Sequence, residues 1–525
     1  MRNGSCPCPG MQTLLDPRVL GALGLLLLTA CDRVTTAAPA PPARPARPGI
    51  VLIVVDTLRA DAVPTDETTP TRLPSLRRFA RGATTFADAV APGAWTPQSL
   101  PSLLTGLTPP HTGCEGMPET GVPPLPGAVL TLAERLQIAG YLTVAHTGGG
   151  FLSPSQGLAQ GFDVFTPGFD VMGPEACVAD WAKVRAPGAP FFLLLHTYGP
   201  HDPYGPKDAR AIASAAPPST TASPALRRLQ EHADDPLAMN AALRAPGTLR
   251  ECVYEWFFDA LARPANARLL SRNGPPKAFD RAMRPWLDGG YLTDEGGRAP
   301  IEARFREAYQ SGLPYTDDIL ARTFAALEAA QLPPDTIVVV TSDHGEGHGE
   351  HGYLTHARNL HDEIVHVPLW IRAPGKMPAG AVVRGTCGLV DVAPTLLLLA
   401  GVPAFQGELD GRSLLPLANG KEGGHPVLSS ADRHQVAGDR LLKLRETTVR
   451  DAFRTWSYTY DLETGDLVSE HVIDRVADPR ALDPRPVGSV EWTDSELYRL
   501  VSATRDESRF RLSRAPLPAL RPGPP

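Results

Sequence analysis

Gly49-Ile50-Val51-Leu52-Ile53-Val54-Val55 is an unbroken apolar, β-branched run that ends directly on a carboxylate, Asp56. A half-exposed strand would alternate apolar and polar residues; a run without alternation is the pattern of a strand buried on both faces of a parallel sheet. Residues 142–145, Phe191-Phe192-Leu193-Leu194-Leu195 and residues 336–341 read the same way. Between them, residues 74–81, residues 130–139 (closed by Gly140) and residues 315–330 carry helical patterns, the last long and amphipathic. Strands alternating with helices predict an α/β fold with a mostly parallel sheet, and ligands in such sheets bind beyond the carboxyl ends of the strands. Asp56 follows the first run, His196-Thr197-Tyr198-Gly199-Pro200-His201 the third, and Ser342-Asp343-His344-Gly345-Glu346 the fourth. A lone Asp after a strand is ordinarily a turn or cap residue. Two carboxylates and an imidazole converging on one crevice instead suggest an oxygen-rich divalent-metal site.

The chain has 525 residues, with 57 acidic against 50 basic side chains and a net charge of −7. That is enough apolar surface for a large core, and it excludes a small disulfide scaffold or a collagen-like chain. A sequence pI near 6.1 carries no basic footprint for nucleic acid. Pro is abundant, 56 residues, and Arg greatly outnumbers Lys. Both skews read as codon bias, so Pro is weak punctuation in this chain.

Residues 19–30 form an apolar run too short to cross a bilayer and are read as the core of a signal peptide. Leu28-Thr29-Ala30-Cys31 resembles a bacterial lipobox, which would make Cys31 a lipidated mature N-terminus; an ordinary uncleaved anchor is the alternative. Asp16 and the weakly basic start speak against the lipobox, whereas Asp32 resembles an inner-membrane retention signal. The expected address is the cell envelope, lipid-anchored and facing the periplasm. Residues 32–48 read as a Pro/Ala spacer and residues 49–424 as the main domain. Within it, residues 206–300 read as a helical insertion over the crevice. Residues 425–512 are expected to form a small C-terminal α+β subdomain, and residues 513–525 a disordered tail. Cys114, Cys177, Cys252 and Cys387 match no zinc spacing and read as buried filler.

Several blocks, taken in order, resemble the sulfatase-like branch of the alkaline phosphatase superfamily. They are Ile53-Val54-Val55-Asp56-Thr57-Leu58-Arg59-Ala60-Asp61, Trp95-Thr96-Pro97-Gln98-Ser99-Leu100-Pro101-Ser102-Leu103-Leu104-Thr105-Gly106, and Gly157-Leu158-Ala159-Gln160-Gly161-Phe162-Asp163, then residues 191–204, 341–352, 356–368 and 458–463. The resemblance implies an alkaline-phosphatase-like sheet flanked by helices. It makes Asp56, Asp343 and His344 ligands of one divalent ion (Ca, Mg, Mn or Zn), places the nucleophile at Thr96, itself a metal-bound oxygen, and puts His201 and His356 on the ester or its leaving group. The expected chemistry is in-line attack by Thr96, protonation of the departing oxygen by His201 or His356, and hydrolysis of the covalent ester.

Departures from that family's pattern bear on the substrate. Sulfatases resemble Cys or Ser followed by Pro two residues on and Arg two further, the Cys or Ser being oxidised to an aldehyde. This chain has Thr96, Gln98 and Leu100. A secondary alcohol oxidises to a ketone, so that route is closed and a phosphate ester, small or polymeric, is the favoured substrate. A sulfuric ester hydrolase and a non-catalytic metal-binding surface protein remain alternatives. Arg59 is a candidate for the cation missing at Leu100, with support of the fold as the equal alternative. No Lys lies between residues 278 and 375, so His356 is the candidate for the Lys that the family places near the ester. A second metal is disfavoured because Thr197 and Gly199 stand where two-zinc members resemble ligands. His348, His351, His361 and His366 read as loop or surface histidines, and the spacing of His361 and His366 does not fit a zinc-protease helix. The oligomeric state is left open.

Overall fold

The computed structural model describes residues 47–65, 68–116, 121–201, 204, 295–351, 353–403, 409–437, 440–479, 481 and 484–486. Cys31, the signal and spacer readings up to residue 46, the insertion up to residue 294, Cys252 and the tail from residue 513 lie outside the described residues.

The main sheet has nine strands: β1 (Ile50–Val55), β2 (Thr84–Val90), β3 (Leu142–Thr147), β4 (Val164–Pro167), β5 (Phe191–Thr197), β6 (Ile337–Thr341), β9 (His366–Arg372), β10 (Val382–Val383) and β11 (Cys387–Gly388), with a small hairpin of β7 (Gly347–His348) and β8 (Leu354–Thr355) beside it. Its order is β10-β2-β9-β6-β1-β5-β3-β4, with β11 also on β2. β1 runs parallel to β5 on one side and to β6 on the other, pairing Val54 with both His196 and Thr341. Only β9 is antiparallel to its neighbours β2 and β6. The three runs that end in polar residues are therefore adjacent strands at the centre of the sheet.

Burial explains the missing alternation. Ile50, Leu52 and Val54 pack on one face with Leu100, Leu103 and Leu104, while Val51, Ile53 and Val55 pack on the other with Trp181, Tyr309 and Leu313. Those partners come from α2 (Thr96–Thr105), which follows α1 (Pro74–Ala80), and from α6 (Pro174–Val184) and α7 (Glu295–Ala329); α3 (Pro109–Thr112), α4 (Leu132–Ile138) and α5 (Phe169–Met172) complete the set up to there. α4 starts two residues later than the periodicity suggests because Thr131 caps it: its hydroxyl accepts from Glu134 N and its N–H donates to Glu134 Oε2 at 2.8 Å. α7 begins twenty residues before the expected 315. Pro300 and Pro314 lie inside it, and Phe305, Tyr309 and Leu313 recur four apart on the face that Ile319, Leu320 and Leu327 continue. Burying that stripe outweighs the local Pro penalty.

The expected C-terminal antiparallel sheet comprises β12 (Val427–Ala437), β13 (Arg440–Arg450), β14 (Arg454–Asp461), β15 (Leu467–Asp474) and β16 (Arg485–Pro486), in sequential order. It is fastened to the main sheet by hydrogen bonds from Ser429 Oγ to Ala91 O at 2.6 Å and Ser430 N to Pro92 O at 3.0 Å. A buried charge cluster adds to this: Asp88 Oδ1 on β2 accepts from Arg450 at 2.7 Å and Arg475 at 2.8 Å, and Asp88 also accepts from Thr386. Cys114, Cys177 and Cys387 are buried and unpaired, as filler should be, and burial pushes the Cys177 thiol up to about 12.

His146 on β3 is 1% exposed, and neither ring nitrogen has a hydrogen-bond partner. Burial lowers its pKa, although Asp180 pulls the other way. The folded pKa lies below the unfolded ~6.5, so the unfolded state takes up the proton first and stability falls as pH drops below that value, by up to about 1.4 kcal/mol per pH unit. Buried His348 and the half-buried His361 and His366 act with the same sign. His146→Leu is expected to reduce the slope of unfolding free energy between pH 6.5 and 5 by up to one proton. An unchanged slope in urea titrations at those two pH values would remove His146 from the acid response.

Candidate active site

Each metal-ligand candidate leaves the sheet where its strand stops. Asp56 follows β1, its N–H held by Thr197 O of β5 at 3.0 Å. Asp343 and His344 follow β6, and Leu58 N donates to Ser342 Oγ at 2.8 Å, joining the two loops. Ligand atoms of Asp56, Asp343 and His344 lie within 4.8 Å of one another, and all three residues are fully buried. Their protonation is readable from their partners. His344 Nδ1 is 2.9 Å from Gly345 O, which can only accept, so Nδ1 carries the proton and Nε2 presents its lone pair. Nε2 faces Asp343 Oδ2 at 3.6 Å and Asp56 Oδ1 at 3.7 Å, and neither oxygen has a hydrogen-bond partner. Two orphaned carboxylate oxygens and a ring nitrogen, shut away from water, fit a divalent cation and would be strongly unfavourable without one. Gly345 beside them is obligatory: a Cβ there would stand 2.0 Å from Glu363 O.

Thr96 is the first residue of α2, with extended Trp95 before it. Its Oγ1 lies 3.1 Å from His344 Nε2 and 3.2 Å from Asp56 Oδ2. Ser99, one turn along, fixes the helix by donating to Asp343 O at 2.5 Å. His201 and His356 also reach this centre. Their rings are 5.0 Å apart, and His356 is 4.7 Å from the His344 ring. Thr96, His201 and His356 thus gather with Asp56, Asp343 and His344.

Residues without an assigned role in the sequence also stand here. Glu346, fully buried, holds His356 Nδ1 at 3.2 Å through Oε1. His196 Nε2 lies 3.4 Å from Asp56 Oδ2, and Tyr198 stacks edge-on between the His196 and His201 rings. Burial would raise the Asp56 pKa, but His196, followed by the charges of His201 and His344, brings it well below the ordinary carboxylate value. Tyr309 of α7 donates to Thr57 O and accepts from Arg59 N, both at 3.0 Å. Thr57 itself has φ 58°, and Thr355 and Ala357, which flank His356, have φ 63° and 81°. Left-handed backbone at non-glycine residues beside a ligand and beside a candidate acid is strain held in place by the surroundings.

Two expectations are corrected. Arg59 does not act as a loose cation for the ester: its guanidinium forms hydrogen bonds with Asp61 (2.9 and 2.6 Å), Glu350 (2.7 Å) and Glu346 O (2.8 Å). Its charge is neutralised by those carboxylates, and it ties the loop after β1 to the loop after β6. The histidines expected on loops or the surface are partly or wholly buried. His348 is 2% exposed, accepts from Arg59 at 3.1 Å, and burial, helped by the Arg59 charge, depresses its pKa to about 3. His351 stacks on His361 with centroids 3.8 Å apart. Gln98 and Leu100 are buried in α2, Leu100 as part of the core.

A family model described as Sulfatase matches residues 48–402, more than half of the chain. Among curated proteins, the choline-sulfatase of Rhizobium meliloti (strain 1021) is 32% identical over 201 residues, 37% of this chain and 36% of that protein. The multifunctional alkaline phosphatase superfamily protein PehA of Trinickia caryophylli is 32% identical over 237 residues, 45% of this chain and 38% of that protein. The matches therefore span only about a third of those relatives' length. Two solved structures share the fold. BT4656, in complex with its substrate D-glucosamine-2-N,6-O-disulfate, has a TM-score of 0.59 at 20% identity, covering 88% of this chain and 98% of that one. The phosphonate monoester hydrolase of Silicibacter pomeroyi has a TM-score of 0.56 at 20% identity, covering 89% and 96%.

Proposed function

Because the chain belongs to the sulfatase family, we propose that it is a divalent-metal-dependent ester hydrolase that favours phosphate esters over sulfate esters. The observation that carries this reading is Thr96 Oγ1, in hydrogen-bonding reach of both Asp56 and His344. Asp56, Asp343 and His344 would hold the ion, which, when bound, supplies Lewis acidity at the hydroxyl and at the nonbridging oxygens of the ester. The rest belongs to the protein. Thr96 stands at the start of a buried helix; its proton, made acidic by the ion, would pass to water as its oxygen attacks the central atom in line, and the bond to the leaving oxygen breaks as the Thr96 ester forms. That oxygen takes its proton from His201 or His356, a contribution of typically 10²–10⁴-fold. Water then cleaves the Thr96 ester. A threonine cannot yield the aldehyde that sulfate-cleaving relatives of the Cys or Ser type employ, and this tips the reading to phosphate.

A second reading, sulfuric ester hydrolysis, is favoured by the similarity to a choline-sulfatase and, over 114 residues at 39% identity, to human arylsulfatase K. The two readings separate in one assay. Purified protein supplied in turn with Ca, Mg, Mn and Zn is offered nitrophenyl phosphate, a phosphodiester, a phosphonate monoester and a sulfate ester. Phosphate or phosphonate turnover at least tenfold above sulfate, abolished by chelation, is the expected result. Faster sulfate turnover would overturn the preference. Tight metal binding with no turnover of any ester would favour a non-catalytic binder.

A further inference from the structure

His196 is the last residue but one of β5, fully buried, and the β1–β5 register sets it beside Val54, two residues before Asp56. Its Nδ1 lies 3.3 Å from Gly148 N, a donor that leaves this nitrogen only the accepting role. The ring is therefore the tautomer with its proton on Nε2; that nitrogen is buried, has no aligned hydrogen-bond partner among the described residues, and is directed at Asp56 Oδ2 from 3.4 Å. Tyr198 closes one side of the ring at 4.8 Å between centroids. On the carboxylate, the two oxygens are differently occupied: Oδ2 faces the Thr96 hydroxyl and the His196 N–H, while Oδ1 has no hydrogen-bond partner and faces His344 Nε2.

We infer that His196 is a positioning residue for the metal centre: its Nε2–H, set by the Gly148 N–H and otherwise unpartnered, is directed at Asp56 Oδ2 and closes on it when the ion takes Oδ1. This rests on Asp56, Asp343 and His344 being the ligands of a divalent ion. The physical reason His196 is needed follows from Thr96. While Thr96 carries its proton it can satisfy Oδ2 itself, but as a nucleophile it gives that proton up, and His196 is then the donor that remains within 3.4 Å of Oδ2. Partners of this kind typically carry 10–100-fold in metal affinity.

The test measures binding of Mn²⁺ alone, and then Ca²⁺ alone, to the full chain by calorimetry, with no ester present. His196→Ala is expected to weaken the ion 10–100-fold. His196→Gln, which keeps an N–H at the position of Nε2, should recover affinity to within a few-fold of the natural protein. His196→Asn, which keeps only an acceptor for Gly148 N, should stay weak. Far-UV circular dichroism and urea unfolding of the ion-free variants show whether the fold is kept. If the Ala variant does not fold, the Gln and Asn pair carries the comparison. Equal affinity of those two variants, or natural affinity in a folded Ala variant, overturns the inference. Failure of every ester assay with this affinity order intact would sink the hydrolase reading and leave the role of His196 standing. If the natural protein binds neither ion, both fall.

Discussion

Thr96→Ala is expected to lower kcat by roughly 10⁴–10⁶-fold, the scale on which removal of a covalent nucleophile acts, with KM changed by far less. The asymmetry follows from position. The methyl and hydroxyl of Thr96 are 2% exposed at the first turn of α2, so their loss leaves the helix, the Asp343 tie through Ser99 and the Asp56–Asp343–His344 cluster in place. What disappears is the oxygen that would bond to phosphorus. Thr96→Ser keeps that oxygen and is expected to retain most of the turnover. Steady-state kinetics on the best ester of the panel, with mass spectrometry for a covalent adduct at this residue, decides the matter. An Ala variant within tenfold of the natural rate would show that water is the direct attacking group and that Thr96 only lines the site.

The largest expected effect on stability is at Asp88. Its carboxylate is the shared acceptor of Arg450, whose side chain is 2% exposed, and of Arg475. Removing it leaves Arg475 with the Asp451 carbonyl and Arg450 with the half-exposed Asp362 as its remaining carboxylate, so the loss stands at the lower end, about 3 kcal/mol, of what breaking a buried pair from one side costs. Asp88→Ala should therefore lower the unfolding free energy in urea by that amount, and Asp88→Asn, which keeps the shape, by somewhat less. The pH dependence has a defined sign. Burial pushes the Asp88 pKa up, but Arg450, then Arg475 and Thr386, hold it below the ordinary carboxylate value. The contribution is complete above the unfolded pKa of about 3.9 and is lost as pH falls toward the lower folded value. The natural protein should therefore show an acid limb below about pH 4 that the Asn variant lacks in part. A loss under 1 kcal/mol with the same acid limb would mean that the seam is held by the backbone bonds of Ser430 and by packing.

What could be read from the chain and what could not divide along physical lines. The central strands were legible because a strand covered on both faces must be apolar throughout, and Asp56, Asp343 and His344 were legible because each ends such a run. His196 also ends such a run, but its partner was not legible: only the register of β5 with β1 shows which residue its ring meets. Glu346 was visible in the block after β6, but its role depends on the hairpin of β7 and β8 folding His356 back onto it. Arg59 was open to two readings, a cation for the ester or a support of the fold, and its partners Asp61 and Glu350 take up its charge. The start of α7 was missed because the stripe of Phe305, Tyr309 and Leu313 acts through burial, which needs the partner surface to be known. Asp88 lay in a strand with no sequence signal, since its cations are 362 and 387 residues away.

The central order β5-β1-β6 has a kinetic corollary. Asp56 and the Asp343–His344 pair meet only after β1 has found strands that begin at residues 191 and 337, and the bond from Leu58 to Ser342 closes a loop of 284 residues. Closures of that length come late, because their entropy must be met before the contacts they allow are formed. The candidate ligands therefore come together late, and an ion held by Asp56, Asp343 and His344 would be captured by the finished sheet rather than guide its first steps. It would act as a seal: binding the native chain alone, it would shift the equilibrium toward it by mass action.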